Sequence, residues 1–405
     1  MTSLRHSHHM EELGISKAMS KMRNWRKSCK LEIELADHYH AKIYSSGSVV
    51  QGHLVILPTS DICASSIIIS LDGTTTIRTV GQKLTTTTTH HFLKMDLISS
   101  NVFDLISKTL AKNQTYKMPF QFTLPDELDP TTCTHNAVSA TVADKHLFLP
   151  PTMGGMWDRD DMSPGVVEVK YGINACIVAT TSLSTDQNQD LMANKAIQFI
   201  PRLTESPPVH VSLTSPRYKL QQTRYLGSNT FKQPLGIISA TAMQPEPLHL
   251  QAYGTVITPS SVDVTLTFNP ENDATPPPKL EGVSLSVRSC TWHQADPYQA
   301  FPDQVETPSF QRPFSSTIAL TVECPQIMWA RHVDSRLDDK NQGNSSVAFY
   351  SSTLRLPLSV SLIGKMFLPT FHSCLVSRTY EVCLRLTFKK GGVMLIAPLQ
   401  IIVEP

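Results

Sequence analysis

The chain has 405 residues, of which 40% are hydrophobic and only 17% are charged. Its 35 lysines and arginines nearly cancel its 34 aspartates and glutamates, and the net charge of +1 excludes a global attraction to nucleic acid. A chain of this length exceeds one compact core, so we expect two domains. No apolar run approaches the ~18 residues of a membrane span, and the N-terminus lacks the apolar segment of a signal peptide.

Residues 1–30 are basic, with seven lysines and arginines against two glutamates. Four apolar side chains share one face of a helix in this segment: Ile15, Met19, Met22 and Trp25. One interpretation is a helix that lies on an anionic membrane surface. The residues assigned to that surface are Lys17, Lys21, Arg23, Trp25, Arg26 and Lys27. The alternatives are a helix packed on the rest of the protein, or a disordered tail.

Beyond residue 30 the dominant pattern is alternation of apolar and polar residues, which is typical of strands with one buried face. Residues 31–35, 67–71, 167–177 and 262–268 follow this rule. In the last such stretch, 380–388, Tyr380 and the residues at every second position are expected in the core. Glu381 and Arg385 are expected on the wetted face. Alternation in so many segments predicts an all-β protein of antiparallel sheets packed as sandwiches.

The order of elements is similar in the two halves: a strand with an early proline, an apolar Leu-Pro crossover, and then an alternating strand with a tyrosine. We therefore predict two related sandwiches in tandem. The predicted boundaries are 1–30 for the N-terminal helix or tail, 31–203 and 217–405 for the two sandwiches, and 204–216 for a proline-rich linker.

Catalytic motifs are not found: the sequence has no G-x-S-x-G, P-loop, G-x-G-x-x-G or H-E-x-x-H. Cys290 and His293 have the spacing of metal ligands but lack a second pair, so we predict no metal site there. The acidic run Trp157–Asp161 indicates a solvated loop. None of the eight cysteines forms a C-x-x-C pair. Since no signal peptide is found, we expect a cytosolic protein with reduced thiols. The sequence thus predicts no enzyme, no metal and no cofactor.

Several segments together resemble a known family. Residues 42–57, KIYSSGSVVQGHLVIL, resemble the early tyrosine, turn-glycine, valine, glycine and apolar-strand signature of arrestin-like N-terminal domains. Residues 117–130, KMPFQFTLPDELDP, resemble the proline-phenylalanine strand of the same domain, and the segments from 146 to 178 resemble the crossover and strand that follow. Residues 354–388 resemble the closing part of the arrestin-like C-terminal domain.

This resemblance, which spans about 31–404, implies an α-arrestin-like protein with two immunoglobulin-like β-sandwich domains. The residues that carry it are Tyr44, Gly47, Val50, Gly52, Pro119, Phe120, Pro125, Tyr171, Pro369 and Tyr380. A structural role is expected for both glycines. Gly47 is predicted to take a positive φ in the turn, and Gly52 to permit a bulge or a close approach of two backbones.

The resemblance also implies a cytoplasmic, non-enzymatic adaptor in protein transport at the plasma membrane or endosomes. Its expected partner is membrane-protein cargo, bound for ubiquitin-dependent endocytosis. Related α-arrestins recruit a HECT ubiquitin ligase through Pro-Pro-x-Tyr motifs. This chain has none, since its proline runs at 150–151, 207–208 and 276–278 lack the tyrosine, so any ligase is expected to bind indirectly.

Three other functions remain open at this point. The chain could be a structural subunit of a retromer-type endosomal coat, which shares the two-sandwich fold and would explain the missing Pro-Pro-x-Tyr. It could be an enzyme with an unrecognised site, although no residue pattern suggests a substrate. A secreted sandwich protein is the fourth option, and it would require disulfides.

Overall fold

The computed structural model describes residues 29–81, 84–97, 109–133, 135–180, 189–205, 211, 215, 217–227, 235–252, 255–304, 312–334, 347–360 and 364–405. These residues form two compact units. The first unit comprises residues of Met1–Thr75, Thr89–Leu128 and Val169–Phe199, and the second those of Thr76–Thr88, Asp129–Glu168 and Ile200–Pro405.

The prediction of an all-β protein is confirmed, because strands in several mostly antiparallel sheets dominate both units. Among the described residues, the strands that begin before residue 200 are β1 (Cys29–Leu35), β2 (Ile43–Tyr44), β3 (Val49–Pro58), β4 (Ile62–Val80), β5 (Thr85–Leu97), β6 (Thr109–Leu110), β7 (Tyr116–Thr123), β8 (Val167–Thr180) and β9 (Gln189–Phe199). One sheet has the order β1-β3-β7, and another has the order β2-β9-β8-β4-β5 with β6 beside β4.

The remaining strands all belong to the second unit. They are β10 (Gln221–Leu226), β11 (Gly236–Ala242), β12 (Leu248–Gln251), β13 (Val256–Thr258), β14 (Ser261–Pro270), β15 (Leu280–His293), β16 (Phe314–Leu320), β17 (Ala330–Asp334), β18 (Val347–Pro357), β19 (Phe371–His372), β20 (Val376–Phe388), β21 (Gly391–Leu399) and β22 (Ile401–Glu404). Their sheets have the orders β10-β11-β14-β18-β17, β13-β12-β22 and β16-β15-β20-β19, and β21 pairs with β20 in the last.

Helix is scarce in the described part of the chain, where we find α1 (Ala140–Leu147) and a single 3-10 turn (Pro130–Thr132). None of the described helices has the length and apolar character that a membrane span requires. The α1 helix begins at Ser139, whose hydroxyl accepts a hydrogen bond from the Val142 N–H. This N-cap satisfies a backbone donor that has no partner within the helix.

Alternation in the sequence becomes alternation in burial, as β3 shows. Val50, Leu54 and Ile56 are fully buried on one face of this strand, and the residues between them are more exposed. In β8, the side chains of Val167, Val169, Tyr171, Ile173, Ala175 and Ile177 are all buried. The cores of both units are therefore built by residues two apart along each strand.

One stretch contradicts the predicted pattern. Glu381 was expected on the wetted face of the strand 380–388, but only 1% of its side-chain surface is exposed. The first half of β20 is buried on both faces. On one face Arg378 and Tyr380 contact residues 161–163 and Leu368, and on the other face Arg217 and Arg288 pair with Glu381. A strand covered in this way has no solvent-exposed face, so a polar residue within it needs partners in the protein.

Gly52 lies where two strands approach too closely for a side chain. A Cβ atom at this position would be 2.1 Å from the carbonyl oxygen of Glu34 on β1. The β1–β3 register runs without a shift through this point, so a close approach of backbones, and not a bulge, requires the glycine. Gly47 has a φ of +77°, the left-handed conformation predicted for its turn.

We expect Gly52→Ala to lower the free energy of unfolding of the first unit by about 3 kcal/mol, the upper end of the range for overpacking. Gly47→Ala is the comparison: nothing lies within 4 Å of its Cβ position, so only its positive φ opposes the change. We expect Gly47→Ala to lower the free energy of unfolding by about 1–2 kcal/mol, the cost of a left-handed conformation for alanine. Urea unfolding measures both, and a Gly52→Ala variant as stable as the wild type would contradict the close approach.

Candidate metal centre

Four side chains that can bind metal meet in the second unit: Cys133, His135, His146 and Cys374. One ligand atom from each residue can be chosen so that all four atoms lie within 4.8 Å of one another. Cys374 follows Cys133 by 241 positions in the chain, so only the fold brings the group together.

Cys133 and His135 are positioned by the 3-10 turn that precedes them. Asp129 caps this turn by accepting a hydrogen bond from the Thr131 N–H at 2.8 Å, and Pro130 provides the first residue of the turn with its fixed φ. The chain leaves the turn at Cys133, so the thiol and the imidazole two residues later both lie beside α1.

His146 lies in the last turn of α1, four residues after Val142. Residues four apart share one face of a helix, and these two side chains are the buried ones of α1. The same periodicity that buries the apolar Val142 therefore turns the imidazole toward the interior of the unit.

Cys374 lies in the tight connection between β19 and β20. Ser373 closes this connection, because its N–H and its hydroxyl both donate to the Val376 carbonyl, at 2.9 and 2.7 Å. The Cys374 carbonyl accepts from the Tyr298 N–H at 2.8 Å. The position of the thiol is thus fixed by backbone hydrogen bonds on both sides.

The distances within the group are short. The Sγ atoms of Cys133 and Cys374 are 3.5 Å apart, and His135 Nε2 is 2.9 Å from His146 Nδ1. Cys133 Sγ lies 3.6 Å from His135 Nε2 and 3.8 Å from His146 Nδ1. Two members, His146 and Cys374, are buried, and the other two are partly exposed.

Burial acts on both buried members of the group. It lowers the pKa of His146 to about 4, with smaller contributions from His135 and His372. The imidazole is therefore neutral near pH 7, which is the form that binds metal. Burial, followed by the neighbouring Cys133, raises the pKa of Cys374 well above its usual range. Without a cation nearby, this thiol stays protonated.

The sequence analysis missed all four of these residues. It considered Cys290 and His293, but Cys290 Sγ accepts a hydrogen bond from Arg217 at 3.1 Å and lies outside the group. The available signal was Cys133-x-His135, a ligand-like pair with His146 eleven residues later. The fourth member belongs to another part of the chain, and a single sequence does not connect the two.

A cavity of about 400 Å³ lies beside the group in the second unit. Its walls include Lys145 and Phe148 from α1 and its C-terminal end, and Phe371 and His372 from β19. Asp303 also lines it, and the carboxylate accepts a hydrogen bond from the Tyr218 hydroxyl at 2.8 Å. The cavity wall therefore includes α1, which carries His146, and β19, which ends two residues before Cys374.

Two buried charges of β20 have specific partners. Arg378 is fully buried, and its guanidinium donates to the carbonyls of Asp161 and Met162 and to the Ser163 hydroxyl. The interpretation of 157–161 as a solvated loop is therefore wrong for Asp161, which is 5% exposed. Burial raises the pKa of this carboxyl, although Arg378 acts in the opposite direction.

Glu381, the second buried charge, lies between two arginines. Its carboxylate pairs with Arg217 and, at 2.8 Å, with Arg288, which is directly opposite on β15. Arg217 also lies over the Trp292 ring, with its guanidinium carbon 4.5 Å from the ring centroid. This triad explains how an acidic residue is tolerated inside the sheet.

The residues that carry the family resemblance are distributed over both units. Tyr44, Val50, Phe120, Tyr171 and Tyr380 are buried, and the Tyr171 ring packs against Phe92 and Phe199. Pro119 is exposed on β7, an edge strand, where its missing N–H costs little. Pro125 is partly exposed after β7, and Pro369 is buried before β19.

The residues assigned to a membrane surface are not placed by the structure. Lys17, Lys21, Arg23, Trp25, Arg26 and Lys27 all lie outside the described residues. Most of the linker 204–216 is outside them too, and the domain boundaries proposed from the sequence remain predictions.

Comparison with models of protein families gave no match for the chain, and comparison with the curated proteins gave none either. The arrestin-like resemblance therefore stays a hypothesis that depends on the residues quoted for it.

Proposed function

We propose that the chain is a non-enzymatic adaptor of the arrestin-like kind, with two immunoglobulin-like β-sandwich domains. On this proposal it binds cytoplasmic parts of membrane transporters or receptors and promotes their ubiquitin-dependent endocytosis. It works in the cytoplasm, at the plasma membrane or endosomes, and its basic N-terminal segment contributes contacts to anionic lipid.

The observation that supports this proposal is that two separate family-like segments form one structural feature. The Gly47 N–H donates to the Leu124 carbonyl at 2.8 Å, and the Leu124 N–H donates to the Ser48 carbonyl at 3.0 Å. Further along the same pair of strands, Gly52 lies directly opposite Phe120. A resemblance that arose by chance in two segments would not be expected to place both in register on neighbouring strands.

A retromer-type coat subunit is the second candidate. The missing Pro-Pro-x-Tyr motif favours it, because an adaptor without this motif needs another route to a ligase. The two candidates predict different neighbours in the cell, so one experiment can separate them.

The experiment is proximity labelling in the native cell, with a labelling enzyme fused to the chain and the same enzyme alone as the control. We expect enrichment of plasma-membrane transporters or receptors together with a HECT ligase. Enrichment of endosomal coat subunits without a ligase would favour the coat subunit and overturn the adaptor.

Reconstitution then tests the activity directly. The enriched ligase and one enriched cargo are combined with ubiquitin and its activating enzymes, with and without the purified chain. An adaptor should raise the rate of cargo ubiquitylation in proportion to the amount of chain added. An unchanged rate, with binding of the chain to the cargo demonstrated, would exclude ubiquitin-dependent endocytosis as its role.

A further inference from the structure

We propose that Cys133, His135, His146 and Cys374 form a structural zinc site of the Cys2His2 type. This inference does not depend on the adaptor function, and it holds for any protein with this arrangement.

The distances match those of a tetrahedral ion. With Zn–S of about 2.3 Å and Zn–N of about 2.0–2.1 Å, tetrahedral geometry separates two sulfurs by about 3.8 Å, a sulfur and a nitrogen by about 3.5 Å, and two nitrogens by about 3.3 Å. The corresponding distances are 3.5 Å between the two Sγ atoms, 3.6 and 3.8 Å from Cys133 to the two imidazoles, and 2.9 Å between the imidazole nitrogens. These four distances lie within about 0.4 Å of the tetrahedral values, and all ligand atoms lie within 4.8 Å of one another, so a small adjustment of the side chains suffices for an ion at the centre.

The donor set selects the metal and its role. Two thiolates with two imidazoles in a tetrahedron are typical of Zn²⁺, whereas Mg²⁺ and Ca²⁺ require oxygen donors. Four protein ligands leave no open coordination position for water or substrate. A closed site of this kind stabilises a fold and does not perform catalysis.

The ion would join segments that are distant in sequence. Cys133 and His135 follow the 3-10 turn, His146 lies in α1, and Cys374 lies between β19 and β20. Two hydrogen bonds already link these segments through residues 298–299: the Val138 N–H donates to the Gln299 carbonyl at 2.9 Å, and the Tyr298 N–H donates to the Cys374 carbonyl at 2.8 Å. A metal would hold α1 and β19 together, and with them the wall of the adjacent cavity.

A disulfide between Cys133 and Cys374 is the competing explanation for two thiols at 3.5 Å. It would use both sulfurs and leave the two histidines without a role. The convergence of both imidazoles on the same point favours a metal, and the test distinguishes the two.

The test measures metal in the full-length chain, purified under reducing conditions from cells grown with zinc. Elemental analysis should find one zinc per chain, and Cys374→Ser and His146→Ala should each lose it. The matched control is Cys324→Ser, an exposed thiol of the same unit, which should retain the full zinc content.

Because the ligand variants could fail to fold, cobalt exchange into the wild type provides an independent measurement. Co²⁺ should bind with the visible absorption of a tetrahedral site and the charge-transfer band of two thiolates. Wild-type protein that contains no zinc and takes up neither zinc nor cobalt would overturn the proposal. A Cys133–Cys374 disulfide found by mass spectrometry in freshly prepared native protein would overturn it as well.

Discussion

Replacing Glu381 by glutamine is expected to lower the free energy of unfolding of the second unit by about 3–5 kcal/mol. The carboxylate is 1% exposed and pairs with Arg217 and Arg288. Without its negative charge, two guanidinium groups remain close together in a poorly solvated place, and neither gains a new partner. Removing one member of a buried ion cluster is therefore far more damaging than removing an exposed one.

Asp263→Asn is the matched control, since it makes the same chemical change in the same unit. Asp263 on β14 pairs with Arg355 at 2.8 and 2.9 Å, but the arginine side chain is 74% exposed. The expected loss is below about 1 kcal/mol. Urea unfolding followed by tryptophan fluorescence reports on both variants, because Trp157, Trp292 and Trp329 all belong to the second unit. Equal losses for the two variants would contradict the proposed role of burial.

The strands were predictable because alternation is a local property. Each residue of β3 needs only its neighbours two positions away to indicate which face is buried. Glu381 shows the limit of this reasoning. Its sequence neighbourhood looks like that of any half-exposed strand, and its burial follows from side chains of other segments, Arg217 and Arg288, on the same face of the sheet. Arg217 and Arg288 also compensate its negative charge. Both arginines are distant from Glu381 in the sequence, so the sequence does not reveal the triad.

The candidate metal centre was unpredictable for a related reason. A Cys2His2 group is recognised in sequences by two closely spaced pairs, and this one has a single local pair, Cys133 and His135. Cys374 is separated from it by 241 positions. Cys290 and His293 have a suitable spacing but no second pair, so the sequence predicted no metal site there. Ligand spacing alone does not report which segments the sheets bring together.

The resemblance to arrestins lies between the strands, which were predictable from the sequence, and the metal centre, which was not. Its motifs depend on local features, such as the positive φ of Gly47, and on one contact between strands, between Gly52 and Glu34. Both kinds of feature are visible in the structure.

The second large effect is expected at Arg378, where we predict that Arg378→Met lowers the free energy of unfolding by about 3–5 kcal/mol. Methionine preserves most of the length of the side chain and removes the guanidinium. The lost hydrogen bonds are those to the carbonyls of Asp161 and Met162 and to the Ser163 hydroxyl, at 2.9, 3.4 and 2.9 Å. Asp161 and Met162 stay buried, and the burial of their carbonyls without a partner is what makes the loss large.

Arg385→Met is the control on the same strand. Arg385 is exposed, so its replacement should change stability by no more than about 0.5 kcal/mol. Hydrogen exchange adds a local readout, because the N–H groups of Gly154 and Ser163 donate to the Asp161 carboxylate. Faster exchange of these two amides in Arg378→Met, with no change in Arg385→Met, is expected. Unchanged exchange would mean that Arg378 does not hold this segment.

The pH dependence of the Arg378→Met variant identifies the mechanism. Burial already raises the pKa of Asp161, and Arg378 opposes that rise. Without the arginine, the pKa of Asp161 in the folded state should rise further above its value in the unfolded chain. The folded variant then binds a proton that the unfolded chain releases, so its stability falls as pH increases through this range. We therefore expect the difference in unfolding free energy between variant and wild type to be smaller at acidic pH than at pH 7. A difference independent of pH would assign the whole loss to the hydrogen bonds of the guanidinium and none of it to the charge of Asp161.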